Sequence, residues 1–132
     1  MMTLMQFEIS VQNKPGEIAR ITELLGRNSV NIQGISTELN AKNGYIKVIT
    51  DDEATARRSL KVGGLDFLER EVLEISLPDR PGELAKMTKT LARAGINIES
   101  LFIIGSGTAF EKVALGVNDM DKTKEVLWKY LV

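Results

Sequence analysis

One turn is written twice in this chain. Asn13-Lys14-Pro15-Gly16-Glu17 ends a strand pattern and opens a helical one, and Asp79-Arg80-Pro81-Gly82-Glu83 does the same sixty-six residues later. Aligning residues 14–35 with 80–101 at that offset gives nine identities in twenty-two positions, among them Pro15/Pro81, Gly16/Gly82, Glu17/Glu83, Leu25/Leu91 and Asn31/Asn97. Glu8-Ile9-Ser10 returns as Glu74-Ile75-Ser76. Self-similarity at a fixed period means two copies of one supersecondary unit. Each copy alone has a thin core, so the two are expected to pack on one another.

The pattern around each turn predicts the unit. Phe7, Ile9 and Val11 alternate with polar residues, which marks a strand with one buried face. Pro15 pre-sets a helical φ, Asn13 stands where its side chain can cap a free amide, and Ile18, Ile21 and Leu25 recur at helical spacing. Residues 30–39 and 45–50 read as a hairpin around Asn40-Ala41-Lys42-Asn43-Gly44, which carries an Asn-Gly turn signal. Asp51-Asp52-Glu53 opens a second helix and Gly63-Gly64 stops it. Residues 66–77 then close the first unit and open the second, giving units at 1–70 and 71–132. In the second, Leu84, Met87 and Leu91 stripe the helix, Gly105-Ser106-Gly107 turns a hairpin, and Asn118-Asp119 caps a last helix with Met120, Thr123, Leu127 and Tyr130 on one face. Trp128 sits just off that stripe, at the expected margin of the core.

Two features predict partners. The chain ends at Leu131-Val132 without a fourth strand for the second unit, so a sheet edge is left for another segment or a second copy, which favours a dimer. Leu101-Phe102-Ile103-Ile104 is apolar at four consecutive positions, which implies that both faces of that strand are covered.

Composition narrows the chemistry. With 132 residues, no cysteine and no histidine, the chain has no thiolate or imidazole ligand, no cysteine nucleophile and not the commonest general base. A formal charge of −1 from mixed residues provides no basic field for nucleic acid and no polybasic patch for a membrane. The N-terminus has no signal-peptide pattern, and no apolar run spans a bilayer. The expectation is a cytoplasmic protein with no cofactor, no metal and no catalytic residue.

A strand ending in Asn/Asp-x-Pro-Gly, a helix of the Glu-Ile-Ala-Arg-Ile type and a following strand that opens Val-Asn-Ile or Ile-Asn-Ile resemble the ACT domain, a small regulatory module of amino-acid metabolism. The resemblance covers nearly the whole chain as two tandem copies. It implies an α+β fold of two ferredoxin-like βαββαβ units, each an antiparallel sheet with helices on one face. It also implies a free amino acid bound where the Pro-Gly turn of one module meets the early second strand of its neighbour. By position those residues are Asn13, Lys14, Pro15, Gly16 and Glu17 with Asn31 and Ile32, and Asp79, Arg80, Pro81, Gly82 and Glu83 with Asn97 and Ile98. Homodimerisation and a partner biosynthetic enzyme are implied as well.

Physical chemistry supports such a site. The first amides of a helix lack intrahelical partners and face the positive dipole end, where a carboxylate is stabilised. Gly16 and Gly82 carry no Cβ, so a ligand can approach the backbone. The same residues are also an ordinary way to leave a strand and start a helix, and Asn31 and Asn97 can serve purely local hydrogen bonds. The copies differ in charge, since Asp79 stands where Asn13 is neutral; the first turn is therefore the preferred carboxylate site. Three functions remain: an amino-acid sensor without catalytic residues, a ligand-free assembly subunit of an enzyme complex, and, least supported, an enzyme using Glu8, Glu17, Glu74 or Glu83.

Overall fold

The computed structural model describes residues 3–107 and 109–130. Six strands and four helices follow in order: β1 (Thr3–Gln12), α1 (Glu17–Arg27), β2 (Ile32–Leu39), β3 (Asn43–Thr50), α2 (Glu53–Val62), β4 (Phe67–Pro78), α3 (Glu83–Arg93), β5 (Ile98–Ser106), β6 (Phe110–Val117) and α4 (Met120–Val126), with a 3-10 turn at Trp128–Tyr130. Residues 5–70 form one compact unit; residues 3–4 with 71–130 form the other. The expected chain end at Leu131-Val132 lies outside the described residues.

In the first unit the strand order is β2-β3-β1-β4, and Phe7, Ile9, Val11, Ile46 and Val48 pack against Ile21, Leu25, Ala56 and Leu60 of its two helices. In the second, β4-β6-β5 carries Leu73, Ile75, Leu77, Val113 and Leu115, which pack with Met87, Leu91 and Leu127. The inward strand positions alternate, so each pair of helices covers one face of its sheet. Asp52 and Asp119 cap α2 and α4 alike, each accepting a hydrogen bond at 3.0 Å from a backbone N–H three residues on.

Strand register fixes where things meet. Gln12 lies opposite Asn43, and Ile32 lies opposite Thr50 at the far end of β3. The first hairpin turns at Asn40–Lys42, where the Asn40 Oδ1 accepts from the N–H groups of Lys42 and Asn43. That turn lies within the expected Asn40–Gly44 stretch, of which Asn43 and Gly44 already begin β3. Gly44 is required there because a Cβ would lie 2.2 Å from the carbonyl oxygen of Glu38.

The second hairpin differs by one residue. Both β2 and β5 skip a position early, after Ile32 and after Ile98, but β5 skips again between Ile103 and Gly105. Ile104 is therefore an inserted bulge residue, and beyond it the offset between repeats becomes sixty-seven. The bulge changes how the run Leu101–Ile104 is read. Leu101 packs against the second core, while Ile103 is 57% exposed.

Several sequence expectations are corrected. Helix α1 starts at Glu17, two residues beyond Pro15, with Gly16 as its N-cap at φ +91° and no side-chain cap. The buried stripe begins at Glu17 and runs through Ile21 and Leu25, and in α3 it runs Glu83, Met87, Leu91. Ile18 and Leu84, expected on the stripe, lie about 100° round the helix and are partly exposed. Trp128 is 73% exposed rather than at the core margin, because the chain tightens into a 3-10 turn just after Leu127. Among the described residues no helix is long and apolar enough to cross a membrane.

Candidate functional site

Each repeated turn is a clamp around one glutamate. Glu17 occupies the apolar stripe of α1, so its stem is covered and only 8% of the residue is exposed. Its carboxylate accepts hydrogen bonds from Arg20 Nε at 3.3 Å and Nη2 at 2.9 Å, and Lys14 Nζ stands 3.7 Å away. The Arg20 hydrogen bond, aided by the charges of Arg20 and Lys14, lowers the Glu17 pKa. The second turn repeats this with the cations exchanged: Arg80 Nη2 lies 2.9 Å and Lys86 Nζ 3.6 Å from Glu83. Both glutamates are thereby committed as ion-pair acceptors, which argues against either as a general base.

The turn backbones match. Gly16 has φ +91° and Gly82 φ +87°, a conformation in which a side chain is strained. A Cβ at either position would meet nothing within 4 Å, so it is the left-handed backbone, not crowding within the chain, that demands glycine. Neither α1 nor α3 has a side-chain cap. In the second copy the Glu83 N–H folds back onto the Arg80 carbonyl at 3.3 Å; among the described residues the Glu17 N–H has no such bond. The first helix therefore opens with the freer amides.

Asn13 does not cap α1, as the sequence suggested. Its Nδ2 donates to the Asn40 carbonyl at 2.7 Å, and its N–H donates to the Lys42 carbonyl, also at 2.7 Å, which fastens the turn to the tip of the first hairpin. A carboxylate cannot donate that side-chain bond, so Asp79 keeps only the backbone counterpart, its N–H to the Ala109 carbonyl at 2.9 Å.

A hollow of about 730 Å³ lies beside the first turn. Its walls are the end of β1 (Ser10, Gln12), the clamp (Lys14, Glu17, Arg20), the hairpin (Asn40, Asn43, Tyr45) and the approach to β4 (Gly64, Leu65, Asp66). Two cations and two carboxylates share it. The second turn borders a hollow of only about 290 Å³, lined by Pro78, Asp79, Arg80, Ala109 and Phe110. Register explains the contrast in lining. Asn43 faces Gln12 across the first pair of strands, and Phe110 occupies the corresponding place opposite Pro78.

Of the expected site residues, Lys14 and Glu17 line the larger hollow, and Asp79 and Arg80 line the smaller. Asn31 and Asn97 lie elsewhere: their N–H groups donate to Asp51 Oδ1 and Asn118 Oδ1, and Ile32 and Ile98 pair with Thr50 and Val117. Within either repeat a whole strand separates these residues from the turn, roughly 20 Å at about 3.3 Å per residue. The sequence reading missed Arg20, Asn40, Asn43, Tyr45 and Asp66. Arg20 was detectable as the helical i+3 neighbour of Glu17; the others join only through strand register.

Among the described residues no group of three or more acidic side chains is placed to hold a metal ion. Comparison with known proteins identifies the class. The model of the ACT domain pair matches residues 2–131, and the chain belongs to that family. No curated protein matches the chain. The solved structure of protein BT0572 from Bacteroides thetaiotaomicron is similar at 30% identity, with a TM-score of 0.90 over 97% of this chain and 88% of that one. The ligand-free regulatory subunit of aspartate kinase from Thermus thermophilus shares the fold at 13% identity, with a TM-score of 0.68 over 98% and 97% of the two chains. The Thermus flavus regulatory subunit does so at 15% identity and a TM-score of 0.65, over 96% and 91%.

Proposed function

We propose that this ACT domain pair is a non-catalytic regulatory protein that binds a free amino acid at the first Pro-Gly turn and thereby modulates a partner enzyme of amino-acid metabolism or its own assembly. The observation that carries this reading is the charge-balanced hollow at the uncapped start of α1. The ligand carboxylate is received by the free amides after Gly16, with Lys14 and Arg20 alongside. Its ammonium is received by Asp66, with Ser10 and Asn43 as further acceptors in the same hollow. Likeness in fold to the regulatory subunits of aspartate kinase is consistent with output through another chain. Asn31, Ile32, Asn97 and Ile98 enter such a site only from a neighbouring module.

A second reading, an assembly subunit that pairs with a copy of itself, is favoured by the exposed apolar side chains Ile103 and Phe110 near the β5–β6 hairpin. Calorimetry against the standard amino acids, with mass measured with and without any hit, separates the two. The sensor reading expects one or a few ligands to bind below millimolar concentration and Arg20→Ala to weaken them by about tenfold or more. If no amino acid binds at millimolar levels while the protein is dimeric, the assembly reading replaces it.

A further inference from the structure

Helix α3 carries a basic face that shares only Lys86 with the clamp of the second turn. Lys86, Lys89, Thr90 and Arg93 share that face at three- and four-residue spacing, and Lys129 and Tyr130 from the 3-10 turn complete a hollow of about 380 Å³. Four cations line it with two hydroxyl groups, and no acidic side chain lines it among the described residues. Lys86 leans on Glu83, and Lys129 lies 5.3 Å over the Tyr130 ring. Lys89 and Arg93 have no carboxylate partner among the described residues. The chain as a whole carries a net charge of −1, so this concentration is local.

The first repeat is an internal control. Its corresponding residues are Arg20, Glu23, Leu24, Arg27, Val62 and Gly63, by the offset of sixty-six on the helix and sixty-seven after the hairpin. There Arg20 pairs with Glu17 as Lys86 does with Glu83, but Glu23 supplies an acid where Lys89 stands, and Leu24 lies so close over Gly63 that a Cβ would come within 2.7 Å of it. A closed apolar contact in one repeat stands where the other has an open, basic hollow. The attraction between the helix C-terminus and cations accounts for Arg93 in the last turn of α3. It does not account for Lys86 in the first half, nor for Lys129 arriving from another element.

From this we infer that the second repeat binds a phosphate-bearing small molecule between α3 and the 3-10 turn. Lys86, Lys89, Arg93 and Lys129 neutralise the phosphates, Tyr130 donates a hydroxyl hydrogen bond while the Thr90 hydroxyl stays bonded to the Lys86 carbonyl at 2.8 Å, and the volume suits a di- or triphosphate. The site shares no lining residue with the hollow of the first repeat.

Trp128 makes the test direct. It is the single tryptophan of the chain, is exposed and immediately precedes Lys129, so its fluorescence reports on the hollow. Titration with tripolyphosphate at low salt should give a saturable fluorescence change that weakens as salt is raised. Calorimetry with tripolyphosphate, ADP and ATP then distinguishes sources: equal affinities mean phosphate alone is read, and tighter nucleotide binding adds contact with the Tyr130 ring. Lys89→Ala/Arg93→Ala should weaken binding by about tenfold or more, because two charge-assisted contacts are lost. Arg27→Ala, the equivalent change in the first repeat, should leave it unchanged. The inference is overturned by the absence of saturable binding to all three probes, or by equal loss in the Arg27→Ala and Lys89→Ala/Arg93→Ala proteins with thermal unfolding unaltered.

Discussion

The first and second Pro-Gly turns share a left-handed glycine, an uncapped helix and a glutamate held by two cations, yet their surroundings have diverged. The first opens on about 730 Å³ of mixed charge and the second on about 290 Å³ bordered by a phenylalanine. On the far helix faces the contrast reverses, with Leu24 packed on Gly63 in the first repeat and four cations around a hollow in the second. The repeats agree in the turn glycine, the clamped glutamate and the buried helix stripe. They differ where side chains meet solvent, where a substitution costs little stability.

This comparison is most severely tested at the core. Ile21 and Met87 are equivalent and both fully buried, so Ile21→Ala and Met87→Ala should each cost about 2–5 kcal/mol in urea unfolding. A large loss from one and almost none from the other would show that the repeats do not share one packing plan.

A smaller, asymmetric effect is expected at the turns. Asn13→Asp removes the donor to the Asn40 carbonyl and should cost about 1 kcal/mol, with weaker amino-acid binding in the first hollow. Asp79→Asn disturbs no side-chain hydrogen bond of the described residues and should change stability by less than about 0.5 kcal/mol. Equal effects from the two exchanges would mean that the tie between turn and hairpin contributes nothing.

The smallest effect is a pH dependence centred on the first repeat. Glu17, Asp52 and Glu69 all have lowered pKa values, through hydrogen bonds from Arg20, Thr55 and Arg57 respectively. A carboxylate with a depressed folded pKa stabilises the protein above its unfolded pKa and loses that contribution as pH falls through the folded value. Denaturation midpoints should therefore hold near neutrality and decline below about pH 4.5, near ordinary carboxylate values. The Arg20→Ala/Arg57→Ala protein should be less stable at pH 7 and show a shallower acid decline; an unchanged slope would remove these pairs as its source.

Much of this protein was legible without coordinates. Alternation in Phe7-Ile9-Val11, the Pro-Gly turns and the Asp52 and Asp119 caps are local signals, because each depends on neighbours within one turn or one strand. The family and the two-copy plan followed from the same local text. Tertiary structure decided the rest. Chain order could not show that Asn13 reaches Asn40 rather than the start of α1, since twenty-seven residues separate them and only β1–β3 register brings them together. Nor could it show that Ile104 is an inserted bulge, that Asn43 and Phe110 take corresponding places beside their turns, or that Lys129 joins three cations of α3. Periodicity says which face a residue is on; which residues from distant segments share that face is set by strand pairing and helix packing, and binding sites are made there.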